Sequence, residues 1–559
     1  MSTGLHPRSS SLFARIRRRL GNILRPNVEV FPVPAGIHAD WNLPVPVRDG
    51  TILRVNVFRP ASGPPAPVIM SAHPYNKDRI PARTRSGRGI GIQYRMMPQP
   101  HPVRFSAWTS WEAPDPAFWV PRGYAVVNAD LRGGGAADGA NELLSDQEAE
   151  DYYDLIEWVG AQPWSSGRVG LDGVSYLALS QYKVAALHPP HLAAICPWEG
   201  FSDLYRDFAR PGGAREDGFL VFWSRLTRKA ARIQGDVRAE VVTRPERDQW
   251  YESHTPALER IDVPMLVCGS FSDHSLHTRG SFEVFRRAGS GLKFLYTHRD
   301  GKWCAYYSDD ATQARLRFFD HTLKGISNGI DQEPPVRLAI YDEGPNPVAV
   351  ESSETWPPPG LTWTSLHLAP NGQLQPGSIS TAGQVAFSTR GKPATFEWTF
   401  DHDVDVIGPM ALRVHIEISG AADAVLFAGI RKFRGARECV FEGSYGFSCD
   451  MVAKGWQRLA HRDLDGRLST PEQPVHTHAH AQPLSPGEII PVDIALLPQA
   501  TRFLRGDRLR LDLRGNWHYP RDPFRGTFPA AYQRNPRARC TIHCGGPHAS
   551  RLLLGMRPV

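Results

Sequence analysis

The chain has no run of about 18 apolar residues, which excludes a helix that spans a bilayer. Its first residues lack the apolar core of a secretory signal, so none is expected. Cysteine is scarce: seven, scattered and odd in number, which argues against a disulfide framework. That usage suits a reducing compartment, with the cytoplasm as the default expectation. No G-x-G-x-x-G or phosphate-binding loop follows a strand pattern, so no nucleotide cofactor is expected, and the reading calls for no cofactor at all. Acid is absent from residues 1–28, which carry Arg8, Arg15, Arg17, Arg18, Arg19 and Arg25. This segment holds most of the net charge of +7, so the rest of the chain is close to neutral. A basic nucleic-acid face on the body is therefore not expected. No internal repeat or long low-complexity tract occurs.

What is present is an ordinary globular composition, 41% hydrophobic and 22% charged, which argues against domain-scale disorder. At roughly 100–200 residues per domain, 559 residues suggest about three domains. Leu12, Ile16, Leu20, Ile23 and Leu24 stand at near-helical spacing with arginines between them. Such a helix either packs on its own protein, the simpler reading, or lies on a membrane surface. Residues 1–40 are read as a basic leader.

From about residue 41 the pattern is β, with a hairpin signal at Arg48-Asp49-Gly50-Thr51. Short apolar runs at Pro67–Ala72 and Tyr124–Ala129 suit buried parallel strands. Ser145 and Glu148 form a capping box, followed by Tyr152, Leu155, Ile156 and Val159 at helical spacing. Arg168–Leu171 reads as the next strand and Leu177–Ala186 as the next helix. This alternation predicts a doubly wound α/β domain over 41–200 that resumes over 261–334. Residues 201–260 read as short helices, a cap over the strand ends. From 335 to 559, short alternating strands such as Val336–Ile340 and Leu509–Leu513 predict a β-sandwich.

Gly173-Val174-Ser175-Tyr176 lies between a strand and a helix, the context of a nucleophile elbow, although the usual second glycine is Leu177. Serine needs a base, and in this fold class acid and histidine follow in that order. Asp273 follows the strand Met265–Gly269, and His298 follows the strand Leu292–Tyr296. Both sit at the strand ends where open α/β sheets build their sites. His274 and His277 are rival bases, but they lie very close in sequence to Asp273.

Several stretches resemble the cocaine-esterase and X-Pro dipeptidyl-peptidase family of serine hydrolases (CocE/NonD, S15-like). They are His73-Pro74-Tyr75-Asn76-Lys77, Asp130–Gly135, Glu148–Asp151 through Gln162-Pro163-Trp164-Ser165, Gly173–Leu177, Asn328–Val336 and Phe503–Leu511. The resemblance spans residue 40 to the end. It implies an α/β-hydrolase domain with a helical cap and a C-terminal jelly-roll domain. It implies a triad of Ser175, Asp273 and His298. It also implies an oxyanion hole made by the Tyr75 hydroxyl and the Tyr176 backbone N–H. The sequence departs from the family where Leu295-Tyr296-Thr297-His298-Arg299-Asp300 replaces a Gly-Pro-Trp-like approach to the histidine.

The expected activity is hydrolysis of acyl esters or amides through an acyl-enzyme. A dipeptidyl-peptidase, an α-amino-acid ester hydrolase and a catalytically silent ligand-binding protein are the alternatives. The expected partner is a small-molecule acyl substrate, with no nucleic acid and no stable membrane insertion; homo-oligomers stay open. No charged residue follows Ser175 closely, so neutral acyl esters are expected to outperform substrates with a free α-ammonium. The run His476, His478, His480 is read as a solvated edge strand or loop and Cys540-x-x-His543-Cys544 as structural, so no metal is expected.

Overall fold

The computed structural model describes residues 12–83, 90–273, 276–446, 449–519 and 530–559. Its first twelve strands are β1 (Val28–Phe31), β2 (Ile37–Pro46), β3 (Ile52–Pro60), β4 (Ala66–His73), β5 (Val103–Ser106), β6 (Ala125–Asp130), β7 (Ser165–Val174), β8 (Leu192–Trp198), β9 (Met265–Ser270), β10 (Lys293–His298), β11 (Val336–Ile340) and β12 (Ala349–Ser353). The α-helices are α1 (Leu12–Leu24), α2 (Ile92–Met96), α3 (Pro116–Trp119), α4 (Asp146–Gly160), α5 (Tyr176–Ala185), α6 (Phe219–Ala230), α7 (Val237–Thr243), α8 (Gln249–Ser253), α9 (Thr278–Arg287), α10 (Lys302–Tyr306) and α11 (Asp309–Lys324).

Ten strands form one sheet in the order β12-β11-β10-β9-β8-β7-β4-β6-β3-β2. From β6 to β11 every neighbouring pair is parallel, and antiparallel strands close both edges. The central strands are buried on both faces, which explains their largely apolar runs. The hairpin signal becomes the β2–β3 turn, where Gly50 takes φ +83° and Val47 N–H donates to the Thr51 carbonyl at 3.0 Å. On α4, the predicted stripe of Tyr152, Leu155, Ile156 and Val159 is buried against the sheet.

The acids of α4 brace the site. Ser145 caps the helix by accepting from Glu148 N–H. The Glu148 carboxylate turns away from that box to Asn141 and to the Tyr176 hydroxyl, at 2.7 and 2.8 Å. Asp151 accepts from Nε and Nη2 of Arg132 at 2.8 and 2.7 Å. Below the elbow, Arg315 of α11 donates to Asp172 of β7 at 2.7 Å, with both groups buried. Deleting one partner of such a pair costs about 3–5 kcal/mol, because the other charge is stranded.

Between β8 and β9 the chain leaves the sheet for a π-helical turn (Leu204–Ala209) and then α6, α7 and α8. Beyond β12, antiparallel strands form a seven-stranded and a five-stranded sheet. In the strand Arg508–Arg514, buried Leu509, Leu511 and Leu513 alternate with the polar residues Arg508, Arg510, Asp512 and Arg514, the pattern of a sandwich layer.

Two expected boundaries move. Val336–Ile340, read as the first sandwich strand, is β11: Leu295 and Tyr296 of β10 pair with Val336 and Arg337. Its alternation fits either sheet, and the open edge of β10 decides. The later part of the basic leader, residues 28–40, also belongs to the body. There β1 pairs in parallel with β5, and β2 begins at Ile37. Among the described residues no helix is long and apolar enough to cross a membrane.

Candidate active site

β7 ends at Val174 and α5 begins at Tyr176, which leaves Ser175 alone at the turn with φ +61° and ψ −115°. That conformation costs a non-glycine residue about 1–3 kcal/mol and is held only where the surroundings enforce it. They do so here: Ser175 N–H donates to the Trp198 carbonyl and Val174 N–H to the Glu112 carbonyl, at 3.0 and 3.1 Å. Gly173 is required because a Cβ there would lie 2.5 Å from the Leu177 Cβ. Leu177 thus occupies the space that the usual second glycine would leave open.

The histidine that meets Ser175 is His277. Its Nε2 lies 3.2 Å from the serine Oγ, and its Nδ1 makes a very short contact with Asp273 Oδ2. All of this comes from the short β9–α9 connection. Asp273 follows β9, Leu276 N–H donates back to the Asp273 carbonyl at 3.1 Å, and His277 is the residue before α9. His274 lies outside the described residues.

His298 is not at the serine. It is the last residue of β10, where its Nδ1 accepts from Asp300 N–H at 3.2 Å and its Nε2 donates to Glu199 at 3.0 Å. Both ring nitrogens are committed, which corrects the placement of His298 beside Ser175. The order acid then histidine holds, but the histidine comes four residues after the acid rather than from the next strand. The signal in the sequence was Asp273-x-x-x-His277 at a strand end. Its short spacing made His277 only a rival base, yet the turn between β9 and α9 brings the two side chains together.

The loop after β10 delivers a lysine instead. Lys302, fully buried, has its Nζ 3.0 Å from the Tyr445 hydroxyl, 3.3 Å from Asp273 Oδ2, 3.9 Å from Glu199 Oε2 and 3.0 Å from His277 Nδ1. When His277 Nδ1–H donates to Asp273, it cannot also accept from the ammonium. The lysine protons then go to Asp273 and Tyr445. Burial and the Lys302 charge hold the His277 pKa below its ordinary 6.5, against the pull of Asp273.

Glu199, Asp273 and His277 bring their ligand atoms within 4.8 Å of one another, the one such group among the described residues. Lys302 already supplies the positive charge that a cation would bring there. His476 and His478 are buried in a loop between cap and sandwich, not on a solvated strand; only His480 is exposed. Cys540 and Cys544 are buried on one face of a strand, while His543 points the other way to Glu417.

Ser175 opens into a cavity of about 490 Å³. Its walls include Tyr94, Trp111, Trp303 and Tyr445, with Phe219 and Trp223 from the cap. Tyr75 lines it too, and its hydroxyl oxygen accepts from Trp223 Nε1 at 2.9 Å. With that lone pair used, the Tyr75 O–H is left to donate. Burial raises the Tyr75 pKa well above its usual value, so it stays a phenol. Trp223 carried no sequence signal, since it lies on a cap helix far along the chain. Tyr176 opens α5, so its N–H has no carbonyl in a preceding turn to bond. Its own side chain is spent on Glu148.

Glu112 also lines the cavity and was missed in the sequence. It is buried at φ +60°, accepts from Trp303 Nε1 at 2.9 Å, and burial raises its pKa to about 7. The acids of the cap are engaged elsewhere. Asp203 and Asp207 pair with Arg206 and Arg279, Glu216 accepts from four backbone amides including Ala531 N–H, and Asp217 pairs with Arg215.

A family model described as X-Pro dipeptidyl-peptidase (S15 family) matches residues 49–295. A second, the X-Pro dipeptidyl-peptidase C-terminal non-catalytic domain, matches 328–553. A solved CocE/NonD family hydrolase from Staphylococcus aureus aligns with a TM-score of 0.87 at 33% identity, over 96% of this chain and 100% of that one. The cocaine esterase of Rhodococcus sp. (strain MB1 Bresler) is 26% identical over 429 residues, 64% of this chain and 67% of the esterase. A putative serine esterase of Mycobacterium bovis is 24% identical, over 84% of this chain and 89% of its own.

Proposed function

The chain belongs to the CocE/NonD hydrolase family, and from that membership we propose that it is a serine esterase working through Ser175, His277 and Asp273. The observation that carries this reading is the contact chain from Ser175 Oγ to His277 Nε2 and from His277 Nδ1 to Asp273, at the floor of an aromatic-walled cavity.

Ser175 Oγ attacks the acyl carbonyl while His277 Nε2 takes its proton. Asp273 holds the imidazole in the tautomer that leaves Nε2 free to accept, and it steadies the imidazolium that forms. The charge that develops on the carbonyl oxygen meets the Tyr75 hydroxyl and the Tyr176 N–H. Collapse expels the alcohol, which takes the proton from His277 and leaves an acyl-serine. Water, deprotonated by His277, then releases the acid and restores Ser175.

The substrate class follows from the walls. Aromatic side chains suit an apolar or aryl acyl ester, and the cap acids are already paired, which leaves little for a free ammonium. A neutral aryl ester is expected to exceed its α-amino analogue, and an Xaa-Pro amide, by roughly tenfold or more in kcat/KM, because an unpaired buried charge is expensive. Glu112 favours the second reading, an amine-recognising hydrolase, since a carboxyl in an aromatic-walled cavity can pair an ammonium. An advantage for either amine substrate that Glu112→Gln removes would establish that reading and overturn the first.

Lys302 sets a pH dependence. His277 must be neutral to act as base, so kcat/KM climbs as pH rises through its pKa. With that pKa depressed, the acid limb is expected below pH 6.5. Lys302→Met removes the cation beside His277 and should move the limb upward. An unmoved limb in a folded variant would leave Lys302 a packing residue only.

A further inference from the structure

The helix α1 is attached the wrong way round for a helix that packs by its apolar stripe. Phe13, Leu20 and Leu24 follow one another at i, i+7 and i+11, which at 3.6 residues per turn places them within roughly 40° of one face. They are 76%, 52% and 79% exposed. Asn22 lies roughly 180° from Phe13 on the same helix. It is buried, with its side-chain amide donating to the carbonyls of Tyr94 and Arg95 at 2.7 and 2.8 Å. Arg18 adds bonds to Glu442 and to the Pro98 carbonyl, both 3.1 Å, and Arg95 donates to the Ile23 carbonyl at 3.0 Å. Polar contacts therefore hold α1 to the body, Ile16 and Ile23 are only half-buried, and the outer part of the stripe faces water.

An exposed apolar stripe on a monomer calls for an occupant. Charge identifies it. Residues 1–28 hold six arginines and no acid; Arg17 is exposed one turn from Phe13 on the same side of the helix, and Arg25, also exposed, directly follows Leu24 at the helix end. Arginines flanking an apolar face complement anionic headgroups above acyl chains. We propose that α1 docks this protein on the surface of an anionic lipid bilayer, with Phe13, Leu20 and Leu24 entering the interface and Arg17 and Arg25 meeting the headgroups. The neighbouring α2 carries both ends of this arrangement. Its carbonyls hold Asn22, while Ile92, 64% exposed, and Tyr94 line the Ser175 cavity, whose rim also bears Phe222 at 41%. Docking does not depend on what the cavity hydrolyses.

The test is flotation of the full chain with vesicles at low salt. It should float with phosphatidylcholine and phosphatidylglycerol mixed in roughly equal parts, fail with phosphatidylcholine alone, and release as salt screens the headgroups. Phe13→Ser/Leu20→Ser/Leu24→Ser should cut binding roughly tenfold or more, each residue contributing a buried apolar side chain in the interface, with circular dichroism unchanged. Arg17→Glu/Arg25→Glu should also abolish binding. No flotation of the wild type, or equal flotation of the triple variant, overturns the proposal. So does a wild-type dimer that the triple variant dissociates, since the stripe would then serve self-association.

Discussion

Ser175→Ala and His277→Ala are each expected to lower kcat by roughly 10⁴–10⁶, the scale on which triad members fail. Alanine at 175 removes the attacking oxygen. Alanine at 277 removes the acceptor 3.2 Å from it. The double variant should be little worse than either single one, because serine and base act as a unit. His298→Gln is the control. Glutamine can still donate to Glu199, so turnover should stay within roughly tenfold of wild type, the scale of one altered hydrogen bond. Single-turnover hydrolysis of an aryl ester, with thermal melts for folding, reads all four proteins. A collapse in His298→Gln beside a vigorous His277→Ala would return the base to His298.

Tyr75→Phe is expected to lower kcat by roughly 10²–10³ and to change KM little, the cost of one oxyanion donor that acts mainly in the transition state. Nothing else about the site should move. The phenyl ring keeps the packing against Tyr176, and only the oxygen that accepts from Trp223 is lost. An effect confined to KM would make Tyr75 a substrate-binding residue. Loss of both parameters with a lower melting temperature would make it structural.

Much of the core was written in local pattern. Short, mostly apolar runs such as Val68–Ala72 and Val126–Ala129 read as parallel strands because burial on both faces leaves few polar positions, and the two they hold, Ser71 and Asn128, bond each other at 2.8 Å. The i, i+3, i+4 spacing after Ser145 read as α4 for an equally local reason. The strand Val336–Ile340 was not legible in the same way. Its alternation states that one face is buried but not against which sheet.

The elbow at Ser175 was legible because an elbow is a local object: strand, glycine, serine and helix within a few residues. The histidine beside it was not. Asp273 and His277 are near neighbours, yet whether a histidine four residues after an acid turns toward it depends on the backbone between β9 and α9. Trp223, Glu112 and Lys302 reach the site from a cap helix, a loop and the start of α10, which separate chain segments bring together.

The sequence by itself determined the α/β order of the core, the elbow at Ser175 and the amphipathic, arginine-rich pattern of residues 12–24, since each rests on periodicity or turn chemistry within a short span. Tertiary structure alone decided three further matters: that His298 bonds Glu199 while His277 lies against Ser175, that Lys302 stands against Asp273, and that the outer part of the α1 apolar stripe faces water. Side chains far apart in sequence compete for the same buried partners. Only the packed fold sets which of them come within hydrogen-bonding distance.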